Sequence, residues 1–101
     1  DEKSGGTLWT LMSEGARKLG LQSREFPLDQ SGMVRELSNG HPIICSLRPG
    51  DFTTTGHFIV LYDYRNGAFR VRDPNSRKRS EKAWSYRTLK PQIRNLWAFS
   101  S

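Results

Sequence analysis

Few side chains in this 101-residue sequence are suited to nucleophilic attack or proton transfer near neutral pH. They are one cysteine, Cys45, and two histidines, His41 and His57. His57 opens the apolar run Phe58-Ile59-Val60-Leu61, and Asp73 closes a second run, Ala68-Phe69-Arg70-Val71-Arg72, with Asn66-Gly67 between them. Asn-Gly flanked by two such runs is a strong hairpin signal. A two-residue loop at Asn66-Gly67 would put Ile59 and Leu61 on one face with Arg72 and Arg70. A three-residue loop over 65–67, with Gly67 left-handed in a bulge, shifts the register by one. His57, Ile59 and Leu61 then share a face with Asp73, Val71 and Phe69, and the arginines turn away. Hydrophobic patterning prefers this second arrangement. In it Asp73 lies opposite Ile59 and diagonal to His57, where backbones are about 7–8 Å apart and side chains can meet.

An aspartate beside a histidine fixes the tautomer and orientation of the imidazole and stabilises the imidazolium when it takes up a proton. Such a pair is a general base in need of a nucleophile. The alternative is a histidine that anchors a strand end and an Asp73 that opens an Asp-Pro-Asn turn, where Asp and Asn bond their own backbone. Cys45 follows Ile43-Ile44 in an apolar stretch, where a free cysteine behaves as a small hydrophobe with a raised pKa, and no helix start or basic neighbour activates it. His41, between Gly40 and Pro42, reads as a turn residue. Arg48, Asp51 and the threonines Thr53, Thr54 and Thr55 lie on the loop that leads into His57. They either border a cleft, with Arg48, Asp51 and Thr55 as substrate contacts, or form a polar connection. Asn75 either buttresses Asp73 or closes the turn.

The elements that must position these groups read as follows. Thr7 caps a first helix over 7–20, with Leu8, Leu11, Met12 and Leu19 near helical spacing and Gly20 at its end. An extended piece over 21–28 leads to a second helix capped by Asp29 or Ser31, with Met33, Val34 and Leu37 inward, ended by Asn39-Gly40. Strands follow over 42–47, 57–64 and 68–73, then a short helix over 85–92 interrupted near Pro91, and a last strand over 96–99. Trp9 and Trp97 read as core. The expected fold class is α+β, two N-terminal helices followed by an antiparallel sheet, and residues 1–101 fit a single domain.

Composition narrows the function classes. With 35 % apolar residues and three Trp, three Tyr and five Phe, the chain carries too many large aromatics for a disordered polyelectrolyte. No run approaches the ~18 apolar residues of a membrane span, and no signal peptide is visible. One cysteine excludes an internal disulfide framework, and no Cys/His cluster has zinc spacing. The net charge of +6 is uneven: Arg65 to Arg94 holds ten Lys or Arg against Asp73 and Glu81 alone. Such a stretch attracts polyanions or is a solvated basic face, and Arg77-Lys78-Arg79 has no interleaved aromatic and no surrounding nucleic-acid motif.

The succession Gly40-His41-Pro42-Ile43-Ile44, then Gly56-His57-Phe58-Ile59-Val60, then Val71-Arg72-Asp73-Pro74-Asn75 resembles the papain-like cysteine peptidases of the bacteriocin-processing type, and more narrowly their stand-alone relatives in Gram-positive bacteria. Trp84 and Leu96-Trp97-Ala98 also fit, so the resemblance spans about Gly5 to Phe99. It implies peptide-bond hydrolysis by acyl transfer, with the base carried over to His57 and the orienting acid to Asp73. It implies peptide substrates, no metal or organic cofactor, and a bacterial protein at work in the secreted or cell-surface compartment. In that family the nucleophilic cysteine starts a helix in the N-terminal half, with an oxyanion-stabilising glutamine just before it. No residue before Thr7 matches either, so the sequence reads as the C-terminal part of the domain, inactive alone, with its nucleophile expected upstream.

Two other classes remain. One is a non-catalytic relative that docks an anionic cell-surface polymer through its basic region; the other is a small nucleic-acid-binding domain, for which no specific motif is present. A papain-like part without its nucleophile helix would leave one face of the sheet open, to be covered by a complementary N-terminal segment or by self-association.

Overall fold

The computed structural model describes residues 20–52, 56–74 and 76–100. Strand β1 (Gln22–Phe26) comes first, then helix α1 (Gln30–Ser38), β2 (Ile43–Leu47), β3 (His57–Arg65) and β4 (Ala68–Arg72). A short helix α2 (Arg77–Glu81), β5 (Ala83–Trp84), α3 (Tyr86–Leu89), a 3-10 turn (Lys90–Gln92) and β6 (Ile93–Ser100) complete the order. The strands form one sheet in the order β1-β6-β2-β3-β4-β5, antiparallel at every pairing.

This architecture corrects the expected fold class of two N-terminal helices followed by a sheet. The described residues are mostly antiparallel sheet with only short helices, and a strand precedes α1. The helix expected over 7–20 lies outside the described residues. Residues 22–26, read as an extended connection, pair with β6 from Gln22↔Ser100 to Phe26↔Leu96. Their polar character fits an edge strand, which needs no apolar run to hold its ladder. The last strand is longer than expected and sits inside the sheet, between β1 and β2.

Helix α1 follows from its ends. The Asp29 carboxylate accepts from the Gly32 N–H at 3.0 Å, and Gly40, at φ +77°, ends the helix in the left-handed region that suits glycine. Met33 is buried, with Val34 and Leu37 packed partly against the same core. In β2, Ile43, Cys45 and Leu47 alternate into that core, opposite Leu61, Ile59 and His57 of β3. Ile44, Phe58, Val60 and Trp97 are half-buried; Ile44 pairs with Val60 and Trp97, and the Phe58 and Trp97 rings are 6.4 Å apart.

The β3–β4 hairpin departs from the preferred reading at its loop. Asn66 (φ 54°) and Gly67 (φ 78°) are both left-handed, and Arg65 pairs with Ala68. The loop therefore has two residues of the type I′ kind. The extra residue sits further along: Asp63 pairs with Arg70 but Leu61 with Val71, so Tyr62 has no counterpart. This bulge restores the alternation that the two-residue loop would otherwise break. Ile59 and Leu61, then Phe69 and Val71, are all buried.

Candidate active site

His57 opens β3 directly after Gly56, whose φ of +140° would strain any other residue. Asp73 follows the last residue of β4. With Val60 paired to Arg72, the next step along the ladder brings Ile59 opposite Asp73 and leaves His57 on the diagonal. There His57 Nε2 and Asp73 Oδ1 are 2.7 Å apart, with side chains 12 % and 0 % exposed. An ionised carboxylate only accepts, so Nε2 carries the proton and Nδ1 is the basic nitrogen.

Asp73 is held at four further points. Arg79 Nε donates to Asp73 Oδ2 at 2.8 Å, and the Asp73 N–H donates to Ser80 Oγ at 2.7 Å. The Asp73 carbonyl accepts from the Ser76 N–H at 3.1 Å and from the Ser80 hydroxyl at 3.3 Å. The carboxylate and the main chain of Asp73 thus have separate partners. The main chain of Asp73 closes the turn into α2, while its carboxylate reaches His57.

Arg79 and Ser80 escaped the sequence reading because Arg77-Lys78-Arg79 has no apolar periodicity to mark a helix. The usable signal was Ser76, which caps α2 by accepting from the Arg79 N–H and so fixes where residues 79 and 80 fall relative to Asp73.

The loop before His57 is tied to the 3-10 turn by Gln92. The side-chain amide of Gln92 donates to Asp51 Oδ2 and to the Thr88 carbonyl, both at 2.9 Å. Its Oε1 accepts from the Asp51 N–H at 2.7 Å, and its main-chain carbonyl accepts from the Arg48 N–H at 2.7 Å. A Cβ on Gly50 would collide with Gln92 Oε1. Just beyond, Phe52 is buried against Trp84, ring centroids 4.3 Å apart. Of the expected substrate contacts, Arg48 and Asp51 are exposed as residues, and the Asp51 carboxylate is engaged by Gln92. Thr55 lies outside the described residues, as do Thr53, Thr54, Asn75 and Trp9.

Cys45 is fully buried in β2 between Ile59 and Leu96. Burial pushes its thiol far above the ordinary range, because the interior disfavours the thiolate. It has the properties of a core residue. His41 pairs with Glu36 instead, Nδ1 to Oε1 at 3.0 Å. That hydrogen bond, with Arg24 on the other carboxylate oxygen, holds the Glu36 carboxyl below its usual range against the opposing effect of burial. Among the described residues no three His, Cys, Asp or Glu side chains gather as metal ligands. None of the helices there is long and apolar enough to cross a membrane.

Compared with known families, residues 5–100 match the family described as "Peptidase_C39 like family". No curated protein and no solved structure matches the chain.

Proposed function

The chain belongs to the Peptidase_C39-like family, a cysteine peptidase-like domain, and on that premise we propose that it carries the base and the orienting acid of a Cys-His-Asp peptidase. The observation behind the reading is the 2.7 Å bond between His57 Nε2 and the buried Asp73 carboxylate. It fixes the tautomer in which Nε2 carries the proton and Nδ1 is the basic nitrogen. The attacking thiol comes from a cysteine outside residues 1–101, since Cys45 is sealed in the sheet.

In this mechanism Nδ1 of His57 takes the thiol proton and the thiolate sulfur attacks the carbonyl carbon of the scissile peptide bond. The C–N bond then breaks as Nδ1 returns the proton to the leaving amine. Water, deprotonated by the same nitrogen, attacks the thioester, the C–S bond breaks, and the carboxylic acid leaves with the thiol restored. Asp73 holds Nε2–H throughout and balances the imidazolium in each half-reaction. The substrate is a peptide, and the site of action is the secreted or cell-surface compartment.

The test uses the protein as its gene encodes it, with whatever precedes residue 1. A small chloroacetamide probe should alkylate one cysteine other than Cys45 quickly near neutral pH, and His57→Ala should slow that reaction about 100-fold. Labelling confined to Cys45, or a rate indifferent to His57, would overturn the reading. Binding to an anionic polymer that weakens steeply with salt would then favour the non-catalytic alternative.

A further inference from the structure

We propose that Arg79 is a positioning residue for the His57–Asp73 pair, fixing the Asp73 carboxylate and supplying it with a permanent counter-charge. The inference rests on the reading of His57 as a base, but it concerns a different residue and a different observable.

The Asp73 side chain is wholly buried and makes two charged contacts from opposite oxygens: Oδ1 to His57 and Oδ2 to Arg79. A buried carboxylate needs a cation. Arg79 supplies a permanent one, because a guanidinium does not lose its proton in proteins. Asp73 therefore stays ionised whether or not His57 is charged. Without Arg79, more of the counter-charge on Asp73 would have to come from His57, which favours the protonated imidazole. With Arg79 in place, that demand is already met, and a second positive charge on the ring is disfavoured.

The placement is built in detail. The Arg79 N–H donates to Ser76 Oγ at 3.1 Å, and its carbonyl accepts from the buried Trp84 indole N–H at 3.0 Å. Both ends of the Arg79 peptide unit are thereby fixed, and its side chain is 32 % exposed, against 0 % for Asp73. Strand β2 places apolar Leu47 opposite His57, β6 places apolar Ile93 opposite Leu47, and α2 brings Arg79 and the Ser80 hydroxyl to Asp73. The basic run that the sequence offered to polyanions thus has one member turned inward, toward the carboxylate.

The experiment is a histidine titration of the full chain by NMR, with His41 as the internal reference. In Arg79→Gln the His57 midpoint should rise by about one pH unit, a tenfold gain in proton affinity. In Arg79→Lys, which keeps the charge, it should rise by less than half as much, and His41 should not move in either. A His57 midpoint equal to wild type in folded Arg79→Gln, or an equal rise in both variants, would overturn the proposal. Should Arg79→Gln fail to fold, the wild-type Arg79 Nε–H resonance decides. It should exchange slowly and shift as His57 titrates; a freely exchanging signal blind to that titration counts against the role. These readouts need no nucleophile, so their failure leaves the thiol-labelling result standing, and the reverse holds too.

Discussion

The molecule contains two histidine–carboxylate pairs of the same make-up. Glu36 is bound by His41 and by Arg24, Asp73 by His57 and by Arg79. The first pair is local: five residues separate its members, at the end of α1, and the His41 and Glu36 side chains are 32 % and 13 % exposed. The second joins residues sixteen apart, from the start of one strand and the end of the next, with 12 % and 0 % exposed. Partner chemistry alone therefore does not distinguish the buried pair from a surface clasp. What differs is desolvation and framework. The Asp73 carboxylate is locked by a hairpin and a helix cap, whereas Glu36 sits between an edge strand and a helix end.

The sharpest way to break this comparison is to neutralise each carboxylate in turn. Asp73→Asn should cost about 3 kcal/mol, because it leaves two cationic groups around a buried site without their counter-charge. Glu36→Gln should cost about 1 kcal/mol or less, as partly exposed pairs do. Urea unfolding measures both, and equal losses would show that burial does not separate the pairs.

A smaller effect is expected from Gly50→Ala, which touches only the surroundings of the second pair. The new methyl meets Gln92 Oε1, so the loop or the glutamine must shift, at about 1–2 kcal/mol. Its unfolding midpoint should fall while the His41 titration stays in place.

The smallest effect is in the acid limb of stability. The Glu36 carboxyl is held below its ordinary value. Its contribution is therefore complete above the unfolded-state value and is lost as pH falls through the folded one. Glu36→Gln should flatten that part of the stability–pH curve, below about pH 4.5. A curve of unchanged shape would show that the His41 clasp gives nothing in solution.

Legibility in the sequence followed the range of the forces involved. Helix α1 was readable from its own residues, since Asp29, Asn39 and Gly40 act within a turn or two. Strand β2 is readable from its nearly continuous apolar run, β3 and β4 from the apolar runs about Asn66-Gly67, and the diagonal that brings His57 to Asp73 from their facing pattern. Strand β1 was not readable as a strand, because an edge strand owes its place to β6 rather than to its own apolar content. The hydrophobic pattern demands a register shift but does not place it, since nothing in Tyr62 marks it as the residue without a counterpart. Arg79 and Gln92 stayed hidden for another reason. Each is a common polar residue whose meaning comes from one distant partner, and a charge count cannot tell an inward arginine from Arg77 or Lys78 beside it.

Tyr62 has a consequence that extends beyond its own strand. From Ile59 and Leu61 to Tyr64, side chains on one face of β3 are separated by an odd count, and the surplus residue is what reconciles the two parities. Deleting it would set the two ends of the hairpin in competition. If the Asn66-Gly67 turn keeps its geometry, His57 passes to the opposite side of the sheet from Asp73. If His57 keeps its place, the turn must be rebuilt with φ/ψ values that oppose the strand twist. Length polymorphism in this hairpin is thus not neutral: one residue lost within β3 separates His57 from Asp73, whereas two residues lost together preserve their facing.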